Sequence, residues 1–151
     1  MKAYQTVAEI LEEVREYHHR LSDLYRVLGS SADSKRLEML LQYMSRHEQI
    51  FERALARYEE SGRRKILGTW SQYVADEDLD LRAVEVKPHA PIDQVVDMAL
   101  EFDEKLIRFY EDMAKNMSDY EDVRVFFQSL AEQEKQERVQ LRINAEMIKE
   151  L

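Results

Sequence analysis

Four stretches of this chain place apolar side chains three and four residues apart over many turns, a period that suits helices burying one face each. The first follows Thr6-Val7-Ala8-Glu9, which has the pattern of a capping box, and runs through Val7, Ile10, Leu11, Val14, Leu21, Leu24 and Leu28 until Gly29. It predicts a helix over 6–28. Asp33 or Ser34 can cap a second, 33–61, along Leu37, Leu40, Leu41, Met44, Phe51, Leu55 and Tyr58, ending at Ser61-Gly62 with Arg63, Arg64 and Lys65 beside its negative end. Pro91 opens a third, 92–116, along Ile92, Val95, Val96, Ala99, Phe102, Leu106, Phe109, Tyr110 and Met113. A second box, Ser118-Asp119-Tyr120-Glu121, begins the last, 119–149, which carries Val123, Phe126, Phe127, Leu130, Leu141 and Ile148, with Leu151 beyond its end.

The links decide the topology. Helices one and two, and three and four, are joined by a few residues each, so each pair is expected to form an antiparallel hairpin. The connection over about 62–91 is far longer than bundle loops need, and long enough to run the length of a ~40 Å helix. An all-α four-helix bundle of two hairpins with one long crossover results, as a single domain over 1–151; three Gly and two Pro leave little for the turns of a sheet fold. Trp70 and Tyr73 are expected to seal one end of the bundle, and Leu79–Val86 reads as extended. The hairpins also resemble each other: residues 9–28 slide onto 94–113 with Leu21 on Leu106 and Tyr25 on Tyr110, and one residue more of offset sets Glu48 on Glu134 and Leu55 on Leu141. This suggests an internal duplication.

A formal charge of -9 repels phosphate backbones and anionic lipid, which argues against nucleic acid and membrane surfaces as partners. Without Cys there is no thiolate chemistry. No nucleophile-base pair or Gly-rich phosphate loop stands out. Early charges in MKAYQTVAEILEEV do not suit a signal peptide, so the chain is expected to work in the cytoplasm.

Each apolar stripe is interrupted once near its middle. His18 falls between Val14 and Leu21, Glu48 between Met44 and Phe51, Asp103 between Ala99 and Leu106, and Glu134 after Leu130. Midpoints of similar helices share one layer of a bundle, so these four are expected to converge, with Glu137 one turn beyond Glu134 joining them. Buried carboxylates cost several kcal/mol each in desolvation, and a cation is the simplest compensation. Against this, the carboxylates could lie on the solvated edges of wide stripes, and His18 could be a hydrogen-bonded core imidazole beside His19. A small rotation of the second helix would exchange Glu48 with His47. Tyr25 and Tyr110 read as core aromatics.

The stretches "EFDEKLIRFYEDMA" and "VFFQSLAEQEKQE", with their weaker copies "EYHHRLSDLYRVL" and "MLLQYMSRHEQIF", resemble the ferritin-like superfamily and most closely its rubrerythrin-type members. The resemblance implies a ferritin-like bundle with a carboxylate on the first helix of each hairpin and Glu-x-x-His on the second, holding iron or manganese. It carries onto Asp103, Glu48 and Glu134. Here His18 replaces the first carboxylate, Phe51 the first His and Glu137 the second His, so the candidate ligands are His18, Glu48, Asp103, Glu134 and Glu137, for one or two ions. Reaction with oxygen or peroxide is what the resemblance implies. Two other readings stand beside it: a metal-free bundle acting as an interaction module or homodimer, and a binder of a small cationic molecule at Glu134 and Glu137.

Overall fold

The computed structural model describes residues 4–72, 79 and 86–151. Along the chain these form β1 (Gln5–Thr6), α1 (Val7–Ser30), α2 (Lys35–Ser61), a single turn α3 (Arg64–Leu67), β2 (Trp70–Ser71), α4 (Ile92–Asn116) and α5 (Glu121–Lys149). The four long helices pack as two hairpins, α1 on α2 and α4 on α5, in an all-α bundle. Between the hairpins, α2 meets α5 where Asn144 Nδ2 donates to Tyr43 Oη at 2.6 Å and where Tyr58 stacks on Phe126 at 4.7 Å between ring centroids. On the other side, the Tyr17 hydroxyl of α1 donates to the Phe102 carbonyl of α4 at 3.5 Å. Among the described residues, no helix is long and apolar enough to cross a membrane.

The helix starts follow local chemistry. Thr6 Oγ1 accepts from the Glu9 backbone N–H at 3.2 Å, and Ser34 rather than Asp33 caps α2 by accepting from Leu37 N–H at 3.3 Å. α1 does not stop at Gly29. This glycine is buried in the last turn of α1, where a Cβ would lie 3.3 Å from Leu41 Cβ, so its missing side chain allows α2 to approach. The box at Ser118 does not form. The chain is still turning there, with Tyr120 N–H bonded to Met117 O, and α5 begins at Glu121 with no side-chain cap. Glu121 and Asp122 place negative charge at that helix's positive end instead. Asp122 also receives Lys65 Nζ at 3.1 Å and Arg63 Nη2 at 3.4 Å, which tethers the start of the crossover to α5.

Trp70 does not seal the bundle. In the two-residue ladder of β1 with β2, Trp70 pairs with Thr6 and Ser71 with Gln5. Neighbouring side chains of a strand point to opposite faces, and here Ser71 and Gln5 are buried while Trp70 is 60% exposed. Tyr73 and all but the end residues of the Leu79–Val86 stretch lie outside the described residues.

Where α2 gives way to the crossover, a methyl group on Gly62 would stand 2.4 Å from the Tyr58 carbonyl oxygen and 2.8 Å from its ring. Gly62→Ala must therefore displace the helix end, and it is expected to cost about 1–2 kcal/mol. Urea unfolding of the two proteins checks this, and equal midpoints would mean that the turn has room to spare.

Candidate functional site

The four stripe interruptions converge. His18, Glu48, Asp103 and Glu134 are all buried, at 1%, 8%, 7% and 3% exposure, in the middle of the bundle. Ser22 and Ser45, one turn from His18 and Glu48, set the spacing of α1 against α2. Each is buried, and each hydroxyl donates to the other's backbone carbonyl, Ser45 at 2.9 Å and Ser22 at 3.1 Å. Small side chains let the two backbones approach, and His18 Nδ1 then lies 2.5 Å from Glu48 Oε2. On its other edge His18 Nε2 faces Glu134 Oε1 at 3.5 Å and makes no hydrogen bond. The Phe51 ring lies nearly parallel to the imidazole, 19° between planes and 5.4 Å between centroids, and holds it edge-on to Glu134.

Electrostatics follows from this burial. Desolvation pushes the Glu48 carboxyl up to about 8, with the nearby Glu137 adding to it. Asp103 is raised well above the usual range by burial and then by Glu48, while Arg138 pulls the other way. Glu134 is raised well above its usual range by burial, opposed by His18 and reinforced by Asp103 and Glu48. Burial lowers His18, against the pull of Glu134 and Glu52. The phenols of Tyr25 and Tyr110 are pushed far up, chiefly by burial and then by these carboxylates, so both stay neutral. The layer avoids charge wherever a proton can be held.

Glu137, expected to join this layer, sits at its edge. It is half-buried and its Oε2 lies 3.2 Å from Nδ1 of His47, whose ring is tilted against Tyr43 at 4.3 Å. His47 and Glu137 border a cleft of about 30 Å³ that also reaches Glu48, Asp103 and Glu134, room for an ion or a water or two. Among the described residues, no three His, Asp or Glu side chains are grouped as a ready cation site. His19 is a surface residue, with Glu52 at 3.0 Å and Asp23 at 3.5 Å.

Three participants escape a reading of the stripes. His47 is one, and its signal is Tyr43 one turn before it. Arg138 is another: one turn beyond Glu134, it binds Glu104 Oε2 through Nη1 at 2.8 Å, its Nε is buried without a hydrogen bond, and its charge reaches Asp103. The third is the Ser22–Ser45 pair, which looks like any polar surface until both helices are in place.

No curated protein and no solved structure matches the chain. A family profile does: that of Rubrerythrin covers residues 19–140, beginning one residue after His18 and spanning both hairpins with Glu48, Asp103, Glu134 and Glu137. With most of its length matched, and with the bundle and buried polar layer found where the resemblance puts them, this chain belongs to the Rubrerythrin family.

Proposed function

We propose that the protein is a ferritin-like metalloprotein that holds one iron or manganese ion in its polar layer, with His18 and Glu134 as the first donors and Asp103 and Glu48 beside them. The observation that carries this reading is His18 Nε2, a buried ring nitrogen with no hydrogen bond, 3.5 Å from a carboxylate oxygen. Two donors at that separation can both lie about 2.1 Å from one first-row ion. With Glu48 ionised, His18 Nδ1–H donates to it and the Nε2 lone pair faces Glu134, the arrangement of a ligating histidine oriented by an outer carboxylate. With Glu48 protonated, the roles reverse and Nε2–H points at Glu134; a cation favours the first arrangement. Phe51 offers no donor one turn after Glu48, which is why we infer one ion rather than two. The ion would supply electron exchange with oxygen or peroxide. The chain's own part is to orient the imidazole through Glu48 and Phe51 and to keep Tyr25 and Tyr110 protonated.

Titration of metal-stripped protein with Mn²⁺, followed by calorimetry and by the loss of the free-ion paramagnetic signal, is expected to show about one ion per chain. His18→Ala and Glu134→Gln should each weaken binding by at least roughly tenfold, and Glu137→Gln by far less. Absence of saturable binding by the wild-type chain would remove the reading.

A metal-free bundle that pairs with a second copy is the other reading, favoured by one observation. Val139, Ile143 and Met147, at four-residue spacing on the outer face of α5, are 59%, 48% and 61% exposed. Light scattering of wild type and Ile143→Glu would decide it, since this reading requires a dimer that the charge dissociates.

A further inference from the structure

A second cavity opens between the hairpins, on the other side of Phe51 from the acidic cleft. It holds about 340 Å³, the size of a small-ligand site, and grades from mouth to floor. Ala54, Ser129 and Gln133 form an exposed rim. Phe51, Tyr58, Phe126 and Leu130 form half-buried walls, and Leu55, Tyr110, His18 and Glu134 the buried floor. The stacked Tyr58 and Phe126 rings span the seam between α2 and α5 on one side. Among the described residues, neither Lys nor Arg lines this cavity. Among the described lining residues its one acidic group is Glu134, with the carboxyl groups of Asp103 and Glu48 behind it, and the unbonded His18 Nε2 also borders the floor.

An occupant must match both ends. An apolar body about the size of a phenylalkyl chain would displace water from the walls, and its polar end would arrive at Glu134 with no lysine or arginine among the described lining residues to answer it. An anionic end would meet a carboxyl group with two more behind it, and a hydroxyl gives that group only a neutral partner. A primary ammonium, beside Tyr110 on the floor, gives Glu134 a charged hydrogen-bond donor that pairs with it as a carboxylate.

We infer that this cavity is a binding site for a small amphipathic amine, an aryl- or alkyl-ammonium whose apolar body lies between Phe51, Tyr58, Phe126 and Leu130 and whose ammonium group meets Glu134. The site needs no metal and extends beyond the metal-binding reading, sharing only its floor with it.

Metal-stripped protein is titrated with 4-phenylbutylamine, 4-phenylbutanol and 4-phenylbutyrate, and followed by calorimetry and by the methyl resonances of Leu55, Leu130 and, as a distant control, Leu37. Saturable binding of the amine is expected, at least about tenfold tighter than that of the alcohol, with no binding of the acid and with shifts at Leu55 and Leu130 but not at Leu37. Glu134→Gln should reduce the preference for amine over alcohol to near unity. Ala54→Trp, at the exposed rim where folding is not at risk, should fill the mouth and weaken the amine by about tenfold while leaving Mn²⁺ uptake unchanged. Failure of the amine to bind, equal affinity for the alcohol, or indifference to Ala54→Trp would overturn the inference. None of these outcomes touches the metal reading, which stands or falls on Mn²⁺ binding alone.

Discussion

Metal-free Glu134→Leu protein is expected to melt above the wild-type chain at pH 7. Glu134 is 3% exposed, makes no close hydrogen bond, and faces two other buried carboxylates. Replacing such a group with leucine removes its desolvation penalty and adds apolar packing, an exchange typically neutral to favourable by about 1–4 kcal/mol. For a chain of this length about 2 kcal/mol corresponds to roughly 4–8 °C. Glu48→Leu should not behave alike, although the residue is nearly as buried. It would strand His18 Nδ1 without its partner at 2.5 Å, at a cost of about 1–3 kcal/mol that offsets the gain. Calorimetric melting of the two variants tests the contrast. On the proposed metal reading, added Mn²⁺ should stabilise the wild type and leave Glu134→Leu unchanged. A destabilised Glu134→Leu would mean that water or a reorganised partner satisfies the carboxylate better than its surroundings indicate.

Lowering the pH from 8 to 6.5 is expected to stabilise the metal-free wild-type chain. The folded Glu48 carboxyl titrates at about 8 and the unfolded one near the model-peptide value of about 4.3, so between these values the folded state holds the extra proton. Stability from this group is complete below the unfolded value and is lost as pH rises through 8. Asp103 and Glu134 are shifted the same way. His18 is shifted oppositely: its contribution is present above 6.5 and is lost as pH falls through its lowered folded value, so it is silent in the chosen window. Glu48 alone then contributes about 1.5 kcal/mol over the interval, and roughly 3–6 °C in melting temperature. A flat profile would show that the layer is solvated.

The helices were legible because their signals are local. Apolar spacing and caps place both ends of α4 to the residue and every other end of the long helices within two residues, and the displaced starts have local causes too. Ser118 fits the box pattern, yet the backbone at Met117–Tyr120 is still in a turn. The polar layer was legible as interruptions of a stripe, which is why His18, Glu48, Asp103 and Glu134 were found together. Glu137 shares the cleft with Glu48, Asp103 and Glu134 but lies at its edge, because one turn along α5 also carries its side chain toward α2 and His47. Trp70 and the Ser22–Ser45 pair were out of reach for a different reason. Whether a tryptophan of a short strand points out, or a serine bonds across a helix pair, depends on a partner distant in sequence. The five candidate ligands came from the stripes; only the expectation of a two-metal ligand pattern came from resemblance, and His18, Phe51 and Glu137 depart from it.

The polar layer is divided evenly by the topology, with His18 and Glu48 on one hairpin and Asp103 and Glu134 on the other. Each hairpin rests on contacts between neighbours in the chain, so each can zip early, while their union waits on closure of the long link. Only at that late step are three carboxylates dehydrated against one another. Docking is therefore expected to meet an electrostatic cost that neither hairpin meets alone. In a chevron plot, protonation or a divalent ion should speed the folding limb where that cost already falls in the transition state, and otherwise slow the unfolding limb. The burial that crowds these carboxyl groups makes their protonation a candidate to time the protein's assembly.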